Sequence, residues 1–239
     1  VSDAKINKHV NSNSGFSKVL ITKSRPYFND NITYINDANV RILELKTNKE
    51  YILNFIEDGL YEIDIPYINE QSGYQLIVEH KKNKFSSIEN LTKSSLIDNV
   101  TQGDRNTLSD DDIEIVTTFT DLIQNDNYFL FEFGDKGNIQ VARDLYINGN
   151  SFTFSYFINK DQIPESKKLK VKMEGINYNY FKYMLQILIQ TNTQNGPFST
   201  PPASIKGNIN NVNNDDDIVF GYFKVCEYDE YVLEEIIID

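Results

Sequence analysis

The stretch EYILNFIEDGLYEIDI (residues 50–65) places two apolar runs on either side of Asp58-Gly59. Such a dipeptide between apolar runs is a strong turn signal, because both residues tolerate the positive φ that a tight hairpin needs. The stretch reads as two short strands joined by a turn. Runs of the same kind lie on both sides of it: SKVLITKS (17–24), ANVRILEL (38–45) and YQLIVEH (74–80). Their connections, KTNK, EDG and PYINEQSG, are rich in turn-forming residues, and RPYFNDNITYIND carries Pro26. Short meandering strands of this kind predict a small β-sandwich over residues 1–90, of transthyretin or immunoglobulin type.

The pattern then breaks. SSIENLTKSSLIDNVTQGDRNTLSDDD is polar without a sustained period, so residues 91–112 read as linker and loop. A second strand series follows in IEIVTTFTD, NYFLFEF, NIQVARDLYI, NSFTFSYFI and KKLKVKMEG. Phe152, Phe154 and Tyr156 alternate cleanly, as do Leu169, Val171 and Met173. NYFLFEF is apolar on both faces, which suits a strand covered on both sides.

In INYNYFKYMLQILIQTN the period turns helical. Tyr180, Met184, Ile187 and Thr191 form one stripe, with Phe181, Leu185 and Leu188 beside it. Asn177 is the candidate N-cap, and TQNGP supplies the stop. Three of the six prolines, Pro197, Pro201 and Pro202, then fall within six residues and read as a stiff, extended crossing back to a sheet. The fold class is therefore mostly β: the sandwich, then a larger antiparallel β domain over residues 113–239 with one α-helix at about 177–192.

Composition narrows the function classes. The chain has 239 residues and a net charge of −12, the reverse of a nucleic-acid footprint. Its longest basic run, HKKNK (80–84), reads as a solvated hairpin turn. No run approaches the roughly 18 apolar residues of a membrane-spanning helix. VSDAKINKHV has neither the basic start nor the apolar core of a signal peptide. The single cysteine, Cys226, lies in an apolar run and reads as a buried, inert thiol.

Several residues invite a chemical reading beside a plainer one. Asp110, Asp111, Asp112 and Glu114 form one acidic cluster, and Asp215, Asp216 and Asp217 another. Both offer the oxygen ligands that calcium favours, but neither has EF-hand spacing. A solvated loop that blocks edge pairing is the plainer reading. His9 and His80 lie in different runs with no zinc motif near them. No G-x-S-x-G elbow, P-loop or G-x-G-x-x-G occurs. A glycosidase carboxylate pair has no local signature, so that class stays open. Tyr178 and Tyr180 in NYNYFKYM could form a stacking platform, although their helical spacing favours packing. Phe198 reads either as a plug beneath its loop or as a recognition residue. No cofactor is expected beyond the calcium candidates.

The second half carries a resemblance. DLYINGNSFTFSYFI, a strand, YNYFKYMLQILIQTNTQNGPFSTPPASIKGNINN and then IVFGYFKV resemble, in order and spacing, the bacterial domain-of-unknown-function family DUF4249. KVLITKSRPYFND, INDANVRI, EDGLYEID and GYQLIVEHKKNKF resemble that family's transthyretin-like opening domain. The FSSIENLTKSSLIDNV link departs from the family's proline-rich connection. The resemblance implies a lipid-anchored, surface-exposed outer-membrane protein of Bacteroidota-type bacteria, its lipid anchor lying upstream of this sequence. It also implies a TonB-dependent outer-membrane transporter as partner. The function expected is that of a non-enzymatic accessory subunit for nutrient capture or complex assembly. A free-standing surface glycan- or peptide-binding module and a glycoside hydrolase are the alternatives. The family supplies no catalytic residues.

Overall fold

The computed structural model describes residues 3–24, 31–104, 111–123, 126–144, 149–193, 205–214 and 216–238. The chain divides into two compact units, one of residues 1–92 and 182–226, the other of residues 93–181 and 227–239. Both are built from antiparallel sheets, so the protein is mostly β and sandwich-like.

The opening strands are β1 (Asp3–His9), β2 (Gly15–Leu20), β3 (Asn39–Glu44) and β4 (Lys49–Ile52). Next come β5 (Asn54–Phe55), β6 (Leu60–Ile65), β7 (Gly73–His80) and β8 (Asn83–Asn90). The following series is β9 (Ile97–Gln102), β10 (Asp112–Thr120), β11 (Tyr128–Phe133), β12 (Asn138–Arg143), β13 (Ser151–Asn159) and β14 (Leu169–Ile176). Helix α1 (Tyr178–Thr193), β15 (Asn210–Asn211) and β16 (Tyr222–Leu233) complete the chain.

In the first unit one sheet runs β15-β8-β7-β3-β4, and the other runs from the start of β16 through β1, β2 and β6 to β5. Alternate residues of both sheets face a shared core: Ala4, Ile6, Val19, Val40, Ile42, Tyr61, Tyr74, Leu76 and Val78 are all at most 2% exposed. The expected Asp58-Gly59 turn joins β5 to β6, with φ of 42° and 70° at its two residues. Only glycine fits its second position. A Cβ there would stand 2.3 Å from the Ile21 carbonyl oxygen. HKKNK is a hairpin turn, as its composition implies: β7 ends at His80 and β8 begins at Asn83.

The second unit pairs β12-β11-β14 and the end of β16 in one sheet with β13-β10-β9 in the other. Its core is aromatic. Phe119, Phe129, Phe131 and Phe133 are buried, and the Phe133 ring stacks on Tyr156 at 4.1 Å between centroids and 2° between planes.

Two sequence expectations need correction. Residues 91–112 are not simply linker, because β9 lies within them and pairs with β10. A bulge hides it: Asn99 faces Thr118 while Ile97 faces Phe119, which leaves Asp98 as an extra residue. Ile97 and Val100, three apart, are consequently both buried, and the two-residue period disappears. The second correction is that residues 113–239 are not one domain. Residues 182–226 cluster with the first unit, whose core Ile209, Val219, Phe223 and Val225 help fill, and β15 pairs with β8.

Candidate functional site

The helix begins where its cap dictates. The Asn177 side chain accepts the Tyr180 N–H at 2.8 Å, and the Asn177 carbonyl accepts the Phe181 N–H at 2.9 Å. That register turns Tyr180 and Met184 inward, 7% and 8% exposed. Tyr180 is thus a packing residue, which removes it as a partner or ligand candidate. Tyr178 is 51% exposed, and its ring lies 5.4 Å from that of Tyr128. Leu185, expected beside the packed stripe, stands exposed on the outer face with Ile189.

Phe198, Asp110 and Asp215 lie outside the described residues, as do Pro197, Pro201 and Pro202. Of the other acidic candidates, Asp217 and Glu114 hold local structure. The Asp217 carboxylate accepts from the amides of Asn211 at 2.8 Å and Asn214 at 3.0 Å, which closes the turn before β16. The Asp216 N–H donates to the Asn214 side chain at 3.3 Å. Asp111 and Asp112 sit at the start of β10. Glu114 is buried and accepts the Ser155 hydroxyl at 2.5 Å. Among the described residues no three His, Cys, Asp or Glu side chains converge as a metal cluster. Cys226 is buried, its thiol 3.3 Å from the Asn7 side-chain oxygen.

A carboxylate pair does exist, where no local pattern marks it. Asp121 follows β10 and Asp144 follows β12, and both are at most 5% exposed. Asp121 accepts from the Gly149 N–H at 3.3 Å and the Asn127 amide at 3.4 Å. Burial, then the hydrogen bond with Asp144, pushes its carboxyl above the usual carboxylate range. Carboxyl groups in direct contact leave no room for a sugar between them, whereas glycosidase pairs stand about 5–9.5 Å apart. The pair's consequence is for stability. A raised carboxyl favours the folded state while protonated, and that contribution is lost as pH rises through the folded pKa. Asp121→Asn is expected to raise the melting temperature at pH 7. The gain shrinks as the pH is lowered from 7 towards 4 and the Asp121 carboxyl takes up its proton. Thermal melts across that range read it directly.

Two surface features stand out among the described residues of the first unit. Ser86, Ser87, Ile88, Asn208, Asn210, Asn211 and Val212 line a shallow depression of about 530 Å³. At the opposite edges of the sandwich, β4 ends one sheet and β5 the other, and Leu53 between them is buried. Side chains alternate across this corner. Tyr51 and Leu53 point inward at 6% and 5% exposure, whereas Ile52, Phe55 and Ile56 stand out at 63%, 45% and 50%. The Phe55 ring rests 5.5 Å from Tyr61, whose hydroxyl donates to the Ile35 carbonyl and accepts the Ala38 N–H, each at 3.0 Å. The exposed apolar trio thus stands on an anchored base. The signal for it was present in YILNFI, where apolar residues occupy both parities of a strand at the end of a sheet.

Residues of the recognisable second-half motif turn out to build the first unit. The Asn208 amide donates to the Phe223 carbonyl at 2.8 Å and to Glu89 at 2.7 Å, and its oxygen accepts the Phe223 N–H at 2.7 Å. Gly207 passes so close to Gly221 that a Cβ would stand 1.6 Å from the Gly221 carbonyl oxygen. One side chain thereby locks IKGNI to GYFKV.

These features define a two-unit β-sandwich protein with an anchored, exposed apolar corner. The chain belongs to the family described as Domain of unknown function (DUF4249), whose model matches residues 6–231. No match was found among curated proteins. Among solved structures it is similar to a two-domain fibronectin type III segment of chicken tenascin, at 8% identity, 74% of this chain, 90% of that one and a TM-score of 0.23. It is also similar to the chicken interferon gamma receptor alpha chain, at 9% identity, 73% and 88% coverage and a TM-score of 0.21. A bacterial ice-binding adhesin overlaps 96% of this chain and 62% of its own, at 8% identity and a TM-score of 0.24.

Proposed function

We propose that this protein is a non-enzymatic, lipid-anchored outer-membrane accessory subunit that docks on a TonB-dependent transporter. The observation that carries the reading is the corner formed by Ile52, Phe55 and Ile56, three large apolar side chains within five residues, each at least 45% exposed. Contiguous apolar groups left in water on an anchored base mark a protein contact more often than chance exposure does. The choice of partner is the one that the family resemblance implies. The lipid anchor and the surface location belong to the same proposal.

A photo-crosslinking amino acid placed at Phe55 in the native host tests the contact. The expected adduct is the transporter, with none from the same group placed at the exposed turn residue Lys81. Adducts of equal yield from both positions, or none from Phe55, would remove the corner as the docking surface. The paired substitution Ile52→Glu and Phe55→Glu is expected to cut transporter recovery roughly tenfold or more, because apolar anchors carry much of the energy of an interface. The melting temperature should hold.

The depression lined by Ser86, Ser87, Asn208 and Asn210 favours a second reading, a glycan-binding module, because it is a concave surface of mixed polar and apolar lining. Glycan-array binding that is lost in Ser86→Trp, with the transporter contact intact, would select that reading.

A further inference from the structure

Sheet edges are where a β protein either prevents pairing or invites it. The described residues contain six edge strands: β12, β5, β13, β9, β15 and β4. Five carry an evident restraint. β5 and β15 are two residues long, β4 has Lys49 and Glu50, β9 has Asp98, and β12 ends in Arg143. β13 has none. Its nine residues, SFTFSYFIN, include no charge, no proline and no glycine, and all nine are in register with β10 from Ser151↔Thr120 to Asn159↔Asp112. No strand covers its other side among the described residues. Ser151, Phe152, Thr153 and Phe157 are exposed.

We propose that β13 is a self-association edge, on which a second copy of this chain pairs its own β13 antiparallel about a twofold axis through Ser155. The occupant follows from the sequence of the edge. A dyad at Ser155 sets Phe154 opposite Tyr156, Thr153 opposite Phe157, and Phe152 opposite Ile158. Aromatic–aromatic and aromatic–β-branched pairs of this kind stabilise antiparallel partners. An isologous contact uses one patch twice and closes at two copies. Charge points the same way. On a chain of net charge −12, a strand with no charge is where two copies approach with least repulsion. The two three-stranded sheets become one of six strands.

This inference goes beyond the transporter reading and needs only the purified protein. Sedimentation velocity over a concentration series from about 1 to 300 µM is expected to show a reversible monomer–dimer equilibrium. Phe157→Lys, which places charge on the edge, abolishes the dimer while the far-ultraviolet spectrum and melting temperature hold. The register has its own readout. Thr153→Cys and Phe157→Cys proteins, each reduced and then mixed, are expected to form a disulfide-linked heterodimer on mild oxidation. Neither variant alone links, because each new thiol faces the other position across the dyad. The buried Cys226 gives no background. A wild-type protein that stays monomeric throughout overturns the proposal. So does a dimer that survives Phe157→Lys, or crosslinking by each variant alone at the yield of the mixture.

Discussion

Gly207→Ala lowers the stability of the first unit by about 3 kcal/mol or more, a large part of what a domain of this size holds. The new Cβ would stand 1.6 Å from the Gly221 carbonyl oxygen, and the atom it meets is backbone. A flexible side chain could move aside, but here two backbone segments must separate. Separation also pulls Asn208 from Phe223, to which it makes two backbone hydrogen bonds of 2.7 and 2.8 Å. Asn208→Ala isolates that second loss. It leaves a backbone N–H and a carbonyl without this partner and costs about 2–3 kcal/mol. Hydrogen exchange should locate the damage in β8, β15 and the first half of β16. Wild-type exchange there in the Gly207→Ala protein would show that the backbone relaxes around the methyl group.

Phe131→Ala lowers the stability of the second unit by about 3–5 kcal/mol, the usual range when a fully buried aromatic side chain is deleted. Phe131 is 0% exposed, and its ring lies 4.8 Å from Phe154 and 5.6 Å from Phe119. Its neighbours are themselves anchored by β10, β11 and β13, so they cannot collapse into the space. The measurement is a denaturant midpoint. Phe131→Leu, which keeps most of the volume, should recover more than half of the loss. Equal midpoints for the Ala and Leu variants would mean that cavity volume does not set the cost.

Strands announced themselves where buried and wet faces alternate cleanly, whereas β8, with the polar run SSIEN, did not. Leu169, Val171 and Met173 alternate in the sequence and are all fully buried in β14. The turn at Asp58-Gly59 and the cap at Asn177 were legible because each rests on one or two residues acting locally. The bulge in β9 defeated the same reasoning. One extra residue, Asp98, put Ile97 and Val100 on a common face at a spacing of three, which matches no strand template. Domain division failed for a different reason. Phe223 and Val225 read as core residues, but nothing in their pattern states which core they fill.

The buried carboxylate pair and the exposed corner were less legible still. Asp121 and Asp144 are separated by 23 positions and become partners only through the folding of β10 to β12. Ile52 and Phe55 were visible as strand residues, but exposure depends on a sheet ending there, and that is decided by the whole topology. Tyr180 was ambiguous until the cap at Asn177 set its direction. The family motif was the clearest signal in the chain, and its described residues serve packing: Ile209 is buried and Asn208 ties two segments together.

The proposed role is that of a subunit. Tagged full-length protein, expressed in its own host and extracted gently from the outer membrane, should bring a TonB-dependent transporter with it in near-equal amount by quantitative mass spectrometry. Recovery of the protein without any transporter, from membranes in which both are abundant, would contradict it.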